Sequence, residues 1–113
     1  MAGTPKRLFG PVALINTYTT DIFTPPAATI YSVLTHLHVV NKTAGPVSFR
    51  LYLGATGTNA AGTELYFDYS VAADSCVDFY GALVLKSTDF LVGGASANTS
   101  LVAYADGYQV VIP

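Results

Sequence analysis

An all-β, antiparallel β-sandwich of about eight strands, of jelly-roll or immunoglobulin-like type, is the fold class predicted by this 113-residue chain. Three observations carry the prediction. Apolar residues alternate with polar ones in several runs, as in Val47, Phe49, Leu51 and Leu53 against Ser48, Arg50 and Tyr52, which is the period of a strand with one buried face. Turn signals recur at close, fairly regular spacing, among them Pro25-Pro26, Gly45-Pro46, Lys86-Ser87-Thr88-Asp89 and Asp106-Gly107, the pattern of a sandwich. No stretch keeps a helical period, and eight Tyr and six Phe without a Trp suit strands.

Taken in order, residues 1–10 read as a polar, basic N-terminal arm with Leu8 and Phe9 at its apolar tip, and residues 11–113 as a single β-sandwich domain. Chain ends are often untethered; the functional expectation is that Leu8 and Phe9 dock on a neighbouring subunit while Lys6 and Arg7 meet an acidic surface. Pro11 to Thr19 reads as the first strand, and Asp21 to Thr24 as a short one ended by two prolines, which remove ladder donors. Thr29 to Leu53 reads as two long strands joined in a hairpin through Asn41–Pro46, the first apolar enough for a central position. Gly54 to Gly62 is a loop by composition.

Glu64 to Val71 alternates, with Leu65, Phe67, Tyr69 and Val71 expected inward and Glu64, Tyr66, Asp68 and Ser70 outward. Ser75 to Leu85 is the next strand, with Gly81 marking a bulge or a close backbone approach. Phe90 to Val92 and Thr99 to Tyr104 follow, and Asp106-Gly107 reads as a two-residue turn before a last strand, Tyr108 to Ile112.

Composition narrows the function classes. Only 11% of residues are charged while 51% are hydrophobic, against roughly 25% charged in an ordinary soluble domain. A surface so poor in charge fits burial in an assembly. The formal charge of −2 and the scatter of Lys42, Arg50 and Lys86 argue against a nucleic-acid partner, which calls for a basic stripe. No apolar run approaches the ~18 residues of a membrane helix, so no membrane partner is expected. Gly10 and Pro11 break any apolar stretch of a secretory signal. The single cysteine, Cys76, excludes an internal disulfide and reads as a structural thiol.

Few residues invite chemistry. His36 and His38, two apart on one strand, share a face and are the best metal candidate, with Asp68 or Asp78 as third ligand from a neighbouring strand. Packing and hydrogen bonding on a half-polar face or subunit interface is the expected role instead, open to tuning by protonation in mild acid. No metal, cofactor or catalytic residue is therefore expected. The carboxylate pair Glu64 and Asp68 is accounted for by outward alternation rather than glycosidase chemistry. Tyr52, Tyr66 and Tyr80, expected outward, read as cross-strand pairs or as a carbohydrate- or protein-binding surface. The sequons at Asn41 and Asn98 are expected to be idle.

The runs Asp21-Ile22-Phe23-Thr24-Pro25, Thr29-Ile30-Tyr31-Ser32-Val33-Leu34 and Leu37-His38-Val39-Val40-Asn41-Lys42-Thr43, followed by Val47 to Gly54, resemble small β-sandwich virion proteins of tailed bacteriophages. Those chains likewise follow an Asn-x-Thr turn with an alternating strand closing on Gly. The match covers Asp21 to Gly54, beyond which only the succession of strands and turns continues. The resemblance implies a non-enzymatic structural subunit that decorates the capsid or forms part of the tail. It would be located in the virion after assembly in the host bacterial cytoplasm, with capsid or tail proteins as partners and a homo-oligomeric state. The alternative is a receptor- or carbohydrate-binding module on the particle surface.

Overall fold

A computed structural model of the chain describes residues 3–111; Met1, Ala2 and Ile112, placed above in the arm and the last strand, lie outside the described residues. Eight strands follow in order: β1 Thr4–Ala13, β2 Thr20–Phe23, β3 Ile30–Asn41, β4 Val47–Gly54, β5 Glu64–Val71, β6 Ser75–Leu85, β7 Phe90–Ala95 and β8 Leu101–Val111. They form two four-stranded sheets, ordered β1-β8-β3-β6 and β2-β7-β4-β5, antiparallel at every pairing. Among the described residues no helix is long and apolar enough to cross a membrane.

The strand order resolves the two sandwich types. β1 pairs β8, β2 pairs β7, β3 pairs β6 and β4 pairs β5, which are the nested arms of one long ribbon rolled onto itself. That winding is the jelly roll. Only the β4–β5 connection stays within a sheet; every other link crosses between layers. The expected hairpin of Thr29 to Leu53 is therefore corrected: β3 lies in the first sheet and β4 in the second, and Asn41–Pro46 is an arch between layers. Both arms carry a face that must be buried, and facing each other across the sandwich buries both at once. The central position expected of the first arm is found, with β8 on one side of β3 and β6 on the other.

Inside lie Leu34, Leu37 and Val39 of β3, Leu101, Ala103 and Ala105 of β8, Val47, Phe49 and Leu51 of β4, and Leu91 and Ala95 of β7. Phe49 is fully buried, a burial that contributes about 1.5–3 kcal/mol for a side chain of this class. The N-terminal arm is the second correction. Residues Thr4 to Gly10 belong to β1, hydrogen-bonded along β8, because Leu8 can reach the core and does so. The strand stops at Ala13, and residues 14–19, read above as its continuation, form the crossing to β2.

Three bulges decide which side chains face in. On β3, Leu34 stands opposite Gly107 and His36 opposite Asp106, so Thr35 is the extra residue, and Leu34 and Leu37 both point inward. On β6, Leu83 pairs Leu34 and Tyr80 pairs His36, which places Gly81 within a bulge, as its sequence position suggests. On β5, Phe49 pairs Tyr69 while Leu51 pairs Tyr66. Three steps on one strand thus answer two on the other, and Asp68 takes a left-handed φ of 51° there. The strict alternation expected for Glu64 to Val71 is overturned at this point: Tyr66 turns toward the core and Phe67 turns out.

The Asp106-Gly107 turn is also corrected, since β8 runs unbroken through both residues. Gly107 serves a close approach instead: a Cβ there would overlap the carbonyl oxygen of Val33. The arch is closed by Asn41, which is 1% exposed. Its amide donates to the Gly45 carbonyl at 2.8 Å and the Val71 carbonyl at 2.9 Å, and its oxygen accepts from the Thr43 N–H at 2.9 Å and Thr43 Oγ1 at 2.7 Å. Both N–H donors and both oxygen lone pairs of the amide are in use.

Candidate functional site

The outer face of the first sheet carries the polar cluster. His36 and His38 point outward from β3, and the ladder sets Asp78 of β6 directly opposite His38. One carboxylate oxygen, Asp78 Oδ1, accepts from His36 Nε2 at 2.8 Å and from His38 Nδ1 at 2.6 Å. These two hydrogen bonds, that from His36 first, hold the Asp78 carboxyl below the usual carboxylate range. Tyr80, two residues along β6, stacks on the His36 ring with centroids 4.7 Å apart and planes 9° from parallel. From the other side β8 brings Tyr104 edge-on to His36 at 6.4 Å and Asp106 Oδ2 within 3.7 Å of His36 Nδ1. A hydrogen bond to Asp106 raises the Tyr104 hydroxyl above its ordinary range, with burial adding to it. Arg7 of β1 stands opposite Asp106 in the ladder.

The remaining predicted residues are distributed differently. Leu8 is buried in the core and Phe9 packs on Phe23 with ring centroids 6.0 Å apart, so both dock within their own chain. Lys6 and Arg7 remain exposed on β1. Tyr52 faces outward from β4 but is only 3% exposed. The crossing from β1 to β2 lies over that face: Ile15 accepts from the Ala95 N–H at 2.9 Å, and Tyr18 sits under the Arg50 guanidinium at 4.4 Å. Tyr66 is turned inward against Phe49, centroids 5.0 Å apart, and burial raises its hydroxyl above the ordinary range. Of the three tyrosines expected on a common binding surface, Tyr80 alone is well exposed. The structure does not bring them together.

Asp68, weighed above as a third ligand for the histidines, is in the other sheet and otherwise engaged. Arg50 donates to it from Nε at 2.6 Å and from Nη2 at 3.1 Å, a bidentate pair that spans the β5 bulge. The same pair holds the Asp68 carboxyl below its ordinary range and keeps Arg50 firmly protonated. Phe67 covers the guanidinium at 4.0 Å, a cation–π contact.

Sequence reasoning missed the flank where β5 and β6, one edge strand from each sheet, run beside each other. Phe67 is 58% exposed, Tyr80 74% and Val84 50%, with Leu65 and Tyr69 also open. Between the layers at this flank lies an apolar cavity of about 130 Å³, lined by Leu34, Leu37, Leu51, Tyr66, Phe79 and Leu83 among others. The signal that was available is the concentration of aromatic residues in Glu64–Val71; the bulge that turns them outward has no counterpart in the sequence pattern.

No protein-family model matches this chain, and no curated protein matches it. Among solved structures it is similar to a chain of the infectious bursal disease virus Gx strain, with a TM-score of 0.36 and 15% identity over 96% of this chain. A chain of the Gt strain of that virus gives a TM-score of 0.34 and 16% identity over 95% of this chain. In both cases this chain spans 26% of the length of the viral chain.

Proposed function

We propose that this protein is a non-enzymatic structural subunit of a virus particle, of the tailed-bacteriophage kind its sequence resembles. It decorates the capsid or forms part of the tail through protein–protein contacts and associates with further copies of itself. The observation that carries the reading is the β5–β6 flank. Phe67, Tyr80 and Val84 stand half or more exposed on two free sheet edges, in a chain with 11% charged residues. Large exposed apolar groups on edge strands fit a surface that is covered in the working assembly, and free edges accept a neighbouring strand. The jelly-roll winding recurs in capsid and lectin domains alike, so the winding by itself does not choose between them; the flank favours assembly. A carbohydrate-binding module is less well supported, because Tyr52 is covered and Tyr66 faces inward.

Antibody–gold labelling of intact particles, imaged in the electron microscope, tests the reading. Gold over the head is the outcome expected of a decoration protein, and gold confined to the tail that of a tail subunit. Particles that carry no label would refute a virion role.

A further inference from the structure

We propose that His36, His38 and Asp78 form a three-ligand site for a borderline divalent metal ion of the zinc class. His36 Nε2, His38 Nδ1 and Asp78 Oδ1 converge within 4.8 Å of one another, the one such group of three among the described residues. Imidazole nitrogen and carboxylate oxygen are the donors such ions take, at about 2.0–2.2 Å, which sets ligand-to-ligand edges of about 3.4 Å in a tetrahedron. The two nitrogens now stand 2.8 and 2.6 Å from the shared oxygen. Side-chain rotations that open these edges by less than about 1 Å admit the ion with the backbone unmoved. That backbone is well held, since β3 is laddered to β6 and β8 on both sides at these positions.

With His36 neutral, its tautomers favour the metal over a simple hydrogen-bonded cluster. A neutral imidazole has one N–H. If His36 spends it on Asp78 through Nε2, its Nδ1 lone pair is left facing the Asp106 carboxylate at 3.7 Å, an unfavourable meeting of two electron-rich atoms. With the ion on Nε2, the proton resides on Nδ1 and faces Asp106, the outer carboxylate partner that metal-bound histidines commonly have. Tyr80 stacked on the ring and Tyr104 at its edge hold the imidazole in that plane. The charges around the cluster are Asp78 from β6, Asp106 from β8 and Arg7 opposite Asp106 on β1, so two carboxylates offset the ion. Three protein ligands on a partly exposed face leave the fourth position to water.

The test is titration of chelator-stripped protein with Co²⁺, read by visible absorption, followed by displacement with Zn²⁺. Intense bands saturating at one ion per chain and lost on adding Zn²⁺ are expected. His36→Gln, His38→Gln and Asp78→Asn should each abolish them. Asp106→Asn keeps every ligand and should retain the bands with affinity lower by about 10- to 100-fold, the usual cost of an outer partner. Asp78→His, which supplies a different donor at the same place, should bind with a shifted spectrum, and it decides the matter if Asp78→Asn does not fold. A wild-type protein that gives no bands, or a His38→Gln variant that binds as tightly as wild type, would overturn the assignment in favour of a cluster that is only hydrogen-bonded.

Discussion

Replacing Asn41 by Ala tests how the two layers are tied. The side chain is 1% exposed and makes four hydrogen bonds, two donated and two accepted. The single proton of the Thr43 hydroxyl lies within reach of Asn41 Oδ1 at 2.7 Å and of the Gly45 carbonyl at 2.9 Å, and on truncation it is free to serve Gly45. The Thr43 N–H and the Val71 carbonyl lose their bonds to this amide. A buried group left without its partner costs about 1–3 kcal/mol, so the pair sums to roughly 2–6 kcal/mol, and water entering the arch reduces the expected loss to about 3 kcal/mol. For a domain of this size that lowers the melting temperature by roughly 10 °C. Urea denaturation followed by circular dichroism measures it directly.

Asn41→Asp sharpens the test. At neutral pH a carboxylate would point toward the Gly45 and Val71 carbonyls with no proton to offer, so the loss should equal or exceed that of Ala. Part of it should return as the carboxyl protonates in acid. An Asn41→Ala protein within 0.5 kcal/mol of wild type, about the noise of a surface substitution, would refute the view that this amide latches the arch.

Further outcomes follow from the same geometry. Gly107→Ala drives a Cβ into the Val33 carbonyl oxygen and should cost about 2–3 kcal/mol by urea denaturation, as overpacking does; a near-neutral effect would restore the turn reading of Asp106-Gly107. Asp68 and Asp78 have folded-state values below the ordinary ~3.9, so the unfolded chain binds more protons between the two values. Their stabilisation is full above the ordinary value and is lost as pH falls through the depressed one, and an acid titration of Asp68→Asn or Asp78→Asn should show a flatter acid limb than wild type. Under the proposed self-association, Val84→Glu, which places a charge on the exposed β6 edge, should reduce association in sedimentation while leaving the melting temperature within about 2 °C of wild type; unchanged sedimentation would remove that residue from the proposed interface.

The strand inventory was legible because strand formation leaves a local trace. β5 and β6 begin and end where alternation and turn residues place them, and Val47, Phe49 and Leu51 face inward as their spacing requires. The pairing of His36 with His38 on one face was also legible, as both residues sit on one strand. Their meeting with Asp78 was not, for Asp78 lies 42 residues from His36 and 40 from His38 and Asp68 was an equal rival on sequence spacing. Only the β3–β6 register, closed by the roll of the chain, distinguishes them.

Local pattern and composition suffice for an all-β sandwich, its approximate strands, its charge-poor surface and the histidine pair, all of which depend on neighbours within one strand or on residue content. The tertiary structure alone decided that Thr29 to Leu53 is an arch rather than a hairpin, that β1 takes up residues expected as a free arm, and that bulges at Thr35, Gly81 and Asp68 reverse which residues face the core. The physical reason is that a bulge shifts every later side chain to the opposite face. Where it falls is set by the strand across the ladder, which the local pattern does not contain.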